Sequence, residues 1–180
     1  MRILIAIDKF KGSIPATEAA QAIASALNHT LPEVVCDLCP IADGGEGTAE
    51  AVVTALNGGW CETATFDAQS RPVTARYGLV CTAGKQEAIM EMSAASGLAM
   101  VSDLPLNPAT ASTHGTGLML QDAMERGVQR IVIGIGGSAT NDAGIGMAAA
   151  LGFRFLDASG APLEPIIANM DRLARIEPPG

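Results

Sequence analysis

Apolar and polar positions along this chain switch between two periods, and the switches mark its elements. Ile3, Leu4, Ile5 and Ile7 form a short apolar run closed by Asp8, which predicts a first strand. The spacing of Ala19, Ala22, Ile23, Ala26 and Leu27 predicts a helix whose first turn holds Pro15, where a missing N–H is harmless. The plan then repeats. Residues 34–39 read as a strand, 40–48 as a glycine loop, and 49–56 as a helix stopped by Asn57-Gly58-Gly59. Between Trp60 and Glu91 the period becomes two, with strands at 61–66, 73–82 and 86–92 separated by turn residues, a hairpin or meander layer. Helical spacing returns at 93–100 and 118–126, on either side of an irregular loop holding Pro105 and Pro108.

Residues 130–152 carry the densest pattern. The β-branched run Ile131, Val132, Ile133, Ile135 predicts a strand buried on both faces of a parallel sheet. Gly134, Gly136 and Gly137 follow as a turn, and Ser138, Thr140, Asn141 and Asp142 crowd into the start of an Ala- and Met-rich helix at 146–151 that Gly152 ends. Residues 153–157 read as a further strand and 165–173 as a short helix. The expected fold is therefore α/β, a mostly parallel sheet with flanking helices of Rossmann or flavodoxin type, interrupted by a small hairpin segment. Three segments follow from it: α/β units at 1–59, the hairpin or meander at 60–92, and an α/β continuation with a glycine-rich phosphate loop at 93–180.

Composition narrows the function classes. With 180 residues, 48% of them hydrophobic but only 3% aromatic, the core must be built from small aliphatics packed closely around backbone. A net charge of −8 argues against a nucleic-acid or anionic-membrane surface. No apolar run reaches the roughly 18 residues needed to span a bilayer, so a cytoplasmic protein is expected. Cys36 and Cys39 form one C-x-x-C, but strand residues three apart face opposite sides. They are expected, with Cys61 and Cys81, to be buried free thiols.

Three polar glycine loops fall where strands pass into helices, the position at which open parallel sheets bind ligands. The first holds Lys9, Lys11 and Ser13, its two lysines either supplying cations that the net charge lacks or standing as solvated surface charges. The second sets Asp43 and Glu46 around Gly44 and Gly45, two carboxylates suited to Mg²⁺ or to accepting a hydroxyl proton, or else a polar turn with Thr48 as helix cap. The third is the Gly136-Gly137-Ser138 turn, whose amides would face an anion at the positive end of the helix dipole. Asp142 beside it implies either a metal and chemistry or a simple helix-capping role. Thr113-His114-Gly115-Thr116 is a further polar helix start, with His114 as a structural hydrogen-bonder or an acid and base. Arg71 and Arg76 could reach an anion or, the preferred reading, merely solubilise the hairpin. A competing reading exists: Gly134-Ile135-Gly136-Gly137-Ser138-Ala139 fits G-x-G-x-x-A, and Asp157 lies roughly 20 residues on, as an NAD(P)-binding oxidoreductase would require.

Five segments in order, Asp8-Lys9-Phe10-Lys11-Gly12-Ser13, the loop from Pro40 to Thr48, Glu91 to Leu98, Thr113 to Gly117 and Gly134 to Gly146, resemble the bacterial glycerate kinase family, over its N-terminal portion. The resemblance implies two α/β domains meeting at a cleft, and transfer of the γ-phosphoryl of ATP to D-glycerate to give 2-phosphoglycerate with Mg²⁺. It implies Asp43, Asp142 and Lys11 as catalytic residues, Asp43 being the base, and Asp142 or Glu46 as metal ligands. Lys9, Ser13, Gly44, Gly45, Glu46, His114, Gly136, Gly137, Ser138, Thr140 and Asn141 would bind substrate or phosphate. No nucleic-acid or membrane partner is implied. A half-chain of the kinase without activity of its own is a further alternative. Two positions depart from the family pattern: Lys9 stands where Ser is common, and Ala143 where Gly is common.

Overall fold

The computed structural model describes residues 1–180. Strand β1 (Arg2–Ile5) leads into helix α1 (Ala16–Thr30), with Pro15 just ahead of it. Strand β2 (Val35–Leu38) lies parallel to β1, and helix α2 (Thr48–Ala55) follows. Next come β3 (Gly59–Phe66), β4 (Pro72–Thr82) and β5 (Lys85–Glu91), then the short helix α3 (Ser93–Ser96) and a 3-10 turn at Ala99–Val101. Helix α4 (His114–Glu125), strand β6 (Arg130–Gly134) and helix α5 (Ile145–Ala150) continue the chain. Strand β7 (Arg154–Leu156), a 3-10 helix at Ile167–Arg172 and strand β8 (Arg175–Glu177) complete it.

The α/β class holds, but the sheet is not mostly parallel. Strands β3, β4, β5 and β6 form one mixed sheet, antiparallel except between β5 and β6. The cause lies in the connections. Ala83 and Gly84, at φ 50° and 75°, make a two-residue turn with both central residues left-handed, which fits the twist of an antiparallel hairpin. The β5 to β6 connection instead runs through α3 and α4, long enough for a parallel crossover. Pairing of β6 with β5 also carries the sheet across the boundary at residue 92. Two small pairs, β1–β2 and β7–β8, stand apart from it.

Alternation along the strands splits the core into two layers. Ala75, Tyr77, Ala88 and Met90 face α3 and α4, where they meet Ala95, Met119 and Ala123. Val80 and Ile89 face the other way and pack on Ala49 and Val53 of α2. Gly78 is required there, because a Cβ would sit 2.0 Å from Val53 Cγ2. Buried Tyr77 donates its hydroxyl to Asp122 Oδ2 at 2.6 Å, and burial followed by that bond pushes its pKa up.

Three further expectations are corrected. Strand β6 is an edge strand, with Val132 36% exposed, since nothing pairs with its second side. None of the four free cysteines is buried, and Cys39 and Cys81 are exposed; Cys39 follows a sheet that lacks cover. Arg71 does not merely solubilise the hairpin. It donates to buried Asp67 at 2.6 Å, to Asp103 at 2.7 Å and to the Met100 carbonyl at 2.6 Å, tying the β3–β4 turn to the loop after the 3-10 turn.

Two predictions follow from these local features. Ala143 sits in the left-handed region at φ 53°, which disfavours a Cβ. Ala143→Gly is expected to stabilise the chain by about 0.5–1 kcal/mol after the entropy gained by the unfolded chain is discounted, read as a raised urea midpoint at constant slope; a lowered midpoint contradicts it. Burial pushes Asp67 up, but bonds from the Arg71 backbone and side chain and from Gln69 outweigh it and hold the carboxyl below its ordinary 3.8. Its contribution is thus full above about pH 4 and is lost as pH falls through the lower folded-state value. Arg71→Ala should lower the urea midpoint at pH 7 and shrink the stability difference between neutral and acid pH. An unchanged acid limb in urea titrations would count against this assignment.

Candidate active site

Two loops singled out by their glycines meet through backbone alone. The Gly136 N–H donates to the Gly44 carbonyl at 2.9 Å. A Cβ on Gly136 would lie 2.7 Å from Gly45 Cα, and one on Gly134 would lie 2.5 Å from the Gly44 carbonyl oxygen. Only glycine permits this approach. Thr48 closes the Gly44-Gly45 loop, its hydroxyl donating to the Gly45 carbonyl at 2.6 Å and accepting from the Gly44 N–H. Lys9 reaches across from the loop after β1, and its ammonium donates to the Glu46 carbonyl. Glu91, at the end of β5, accepts from the Ala49 N–H at 2.7 Å and so caps α2 from a distant strand.

These contacts wall a cleft of about 740 Å³ between the two βα loops, β4 and the start of α3. Of the predicted residues, the cleft brings together Lys9, Ser13, Glu46 and Gly137. Gly44, Gly45 and Gly136 lie behind it as the loop contact. Asp43 is exposed beside that contact and outside the lining; its Oδ1 accepts from the Gly45 N–H at 3.3 Å, leaving Oδ2 without a partner in the chain. Lys11 is exposed and Asn141 also faces solvent. Ser138 and Thr140 bond to each other at 2.7 Å. His114 opens α4, away from the cleft, with its ring tilted against Phe66 at 6.3 Å between centroids.

The third loop departs from expectation in two ways. No helix follows the glycines directly: residues 135–144 are loop, strapped to the α3 region by Leu98 N–H to the Gly137 carbonyl and Ala139 N–H to the Ser96 carbonyl. The anion cradle at a helix start is thus absent, although the Gly137 and Ser138 amides stay uncommitted. The helix begins at Ile145, and Asp142 is its anchor. Fully buried, its Oδ2 accepts from the Thr113 N–H and hydroxyl at 2.8 Å and from the Gly146 N–H at 3.1 Å, while Oδ1 accepts from the Gly144 N–H. Four chain donors occupy the carboxylate, and it does not line the cleft. This geometry fits the capping reading of Asp142.

The same facts remove the dinucleotide alternative, which needs a helix opening at the glycine turn. Asp157 is also spoken for, accepting from Ser159 and the Ala161 N–H within its own turn. These bonds, led by the Ser159 hydroxyl, hold its carboxyl below the ordinary range.

On the opposite wall stands Arg76, for which the sequence left anion contact open but favoured a solubilising role. Arg76 lines the cleft, its guanidinium stacked 4.2 Å from the centroid of Trp60 and 4.0 Å from Glu50. The signal was the alternation in β4, where Thr74 and Arg76 face away from buried Ala75 and Tyr77. No group of three or more His, Cys, Asp or Glu side chains is placed to hold a metal ion, and no helix is long and apolar enough to cross a membrane.

Residues 3–180 match the family model described as the glycerate kinase family. The chain is 42% identical over 180 residues to a glycerate kinase of Bacillus subtilis strain 168, covering 100% of this chain and 47% of that one. It is 41% identical over 160 residues to glycerate 2-kinase of Escherichia coli K12, covering 89% and 42%. A crystal structure assigned to glycerate kinase 2 of Salmonella typhimurium LT2 superposes with a TM-score of 0.82 at 39% identity, over 98% of this chain and 47% of that one. The chain spans about half the length of the curated relatives it matches.

The loop contact makes its own prediction. Gly136→Ala should cost about 1–3 kcal/mol by overpacking the two backbones, while Gly59→Ala, where nothing lies within 4 Å, stays within about 0.5 kcal/mol. Equal urea midpoints for the two variants would show that the contact is not tight.

Proposed function

We propose, given that this chain belongs to the glycerate kinase family, that its cleft serves transfer of the γ-phosphoryl of ATP to D-glycerate, giving 2-phosphoglycerate. The observation that carries this reading is the convergence of Lys9, Ser13, Glu46 and Gly137, from three loops separated in sequence, on one cleft. Two anionic substrates need cations. Lys9 supplies one, steadied by the Glu46 carbonyl, and Arg76 supplies a second from the facing wall. Lys11, exposed on the same loop, would join them once substrate closes that loop over itself.

Phosphoryl transfer asks little covalent chemistry of a protein and much positioning. Asp43 is the proposed base: the Gly45 N–H orients Oδ1, and Oδ2 is open to a glycerate hydroxyl proton. The free amides of Gly137 and Ser138, together with Thr140 and Asn141, would face phosphoryl oxygens. Mg²⁺ fits Glu46, whose exposed carboxylate has no partner in the chain, because this ion is commonly held by one or two carboxylates plus substrate phosphates. Bound there it would neutralise charge developing on the phosphates. Asp142, fully engaged by the chain, instead sets the position of α5.

The test is ³¹P NMR with Mg-ATP and D-glycerate. A new phosphomonoester with equimolar ADP is expected, and Asp43→Asn should lower its rate by roughly 10²–10⁴ with folding intact. Near-normal turnover in that variant would refute the base. Absence of product both from this chain and from a chain extended to the relatives' full length would refute the kinase reading.

A further inference from the structure

Arg76 differs from every other arginine of the chain. The others all stand within 3.5 Å of a carboxylate, whereas Arg76 comes no nearer to one than 4.0 Å, at Glu50. That distance is beyond hydrogen-bond reach, so the N–H donors of its guanidinium have no partner in the chain. It is also the one arginine that lines the cleft. The group is held nonetheless, 4.2 Å from the centroid of Trp60, by an attraction that leaves its donors free. Antiparallel register accounts for this pairing. Trp60 lies opposite Gly78, and Arg76 is two residues from Gly78 along β4, so both side chains project from one face of the sheet. Helix α2 covers that face. A Cβ at Gly78 would meet Val53 Cγ2, and Arg76 lies beside Glu50, one turn nearer the start of α2. Arg76 therefore stands where α2 begins, at the end reached by the loop carrying Asp43 and Glu46.

We infer, on the kinase reading above, that Arg76 steadied by Trp60 binds the carboxylate of the acceptor and restricts acceptors to hydroxy acids, excluding neutral polyols of the same length. A planar guanidinium with free donors grips a carboxylate or a phosphate through two parallel hydrogen bonds, which an ammonium cannot do. Lys9, the other cation of the lining, already donates to the Glu46 carbonyl. Phosphoryl oxygens have the uncommitted amides of Gly137 and Ser138 to meet, so the fork on β4 is left for the remaining anionic group, the acceptor carboxylate. An acceptor held there lies along the loop that carries the proposed base, Asp43. A neutral triol would leave the fork unpaired once water is displaced, the means by which a polar site rejects an analogue lacking the group it binds. Arg76 is thus a specificity-determining residue, and Trp60 a positioning residue that acts through it.

Trp60 is the only tryptophan of the chain, so its fluorescence reports on this site alone. Titration with D-glycerate should give a saturable change, and glycerol at the same concentrations none. Calorimetric titration of variants then tests the fork itself. Arg76→Gln should weaken D-glycerate binding roughly 100-fold, and Arg76→Lys, which keeps the charge but loses the fork, about tenfold, with Mg-ATP binding unchanged in both. Trp60→Leu should weaken it about two- to fivefold. Arg76 is exposed, so the urea midpoints of its variants should match that of the parent chain. D-glycerate binding that survives Arg76→Gln, or glycerol binding as tight as that of D-glycerate, would overturn the inference and leave the kinase reading standing. Loss of Mg-ATP binding in Arg76→Gln with D-glycerate binding intact would overturn it by assigning the fork to a phosphate. Failure of the parent chain to bind D-glycerate would overturn it as well, and failure to bind Mg-ATP besides would remove the kinase reading with it.

Discussion

Backbone meeting backbone between Gly44-Gly45 and Gly134-Gly136 is the constraint on which the cleft depends. It fixes the end of β6 against the loop after β2, two points far apart in sequence, without any side chain between them. Since β6 is paired with β5 and α2 is capped by Glu91 at the end of β5, the contact locks the second loop to the mixed sheet from two sides. Lys9 then fastens the first loop to the second through the Glu46 carbonyl. A cleft wall built this way transmits small displacements, because close-packed backbone has no rotamer to absorb them.

Asp142 extends the same frame. Its carboxylate joins the starts of α4 and α5 by accepting from Thr113 and Gly146, and Gly117 lets the two helices close to contact, since a Cβ there would meet Ala150 Cβ at 2.6 Å. Asp142, one of the candidates for chemistry in the sequence, is thus part of the frame that carries the cleft. Buried carboxylates are tolerated when every lone pair is used, and here four donors use them. Under the proposed reading, positioning for phosphoryl transfer would come from groups at the cleft surface, Lys9, Glu46 and Arg76, carried on that frame.

Much of this was legible from residue pattern alone. Strand and helix periods located every major element to within a few residues, and the turn residues at Asp67–Arg71 and Ala83-Gly84 announced the hairpins. The glycine loops were recognised, but for an incomplete reason: Gly44, Gly45, Gly134 and Gly136 serve the approach of one loop to another, while Gly12, Gly47 and Gly137 line the cleft. Long-range partners were beyond reach. Nothing near Arg71 in sequence points to Asp103, or near Asp142 to Thr113, so the structural ties of a surface charge and of a buried carboxylate were out of reach. Arg76 was misjudged because its significance lies in Trp60, brought alongside it by β3–β4 pairing. The ten-residue loop before α5 was read as a helix start because its polar and small residues suit either state.

The central claim is that substrates are held where the glycine-linked loops meet. Backbone amide shift mapping on the ¹⁵N-labelled chain, titrated with Mg-ATP and then D-glycerate, tests it most directly. The account predicts the largest changes at Lys9, Ser13, Gly45, Glu46, Gly137 and Ser138, with Asp157 and Gly160 unmoved. Changes centred on the β7 turn, or spread evenly over the chain, would contradict it.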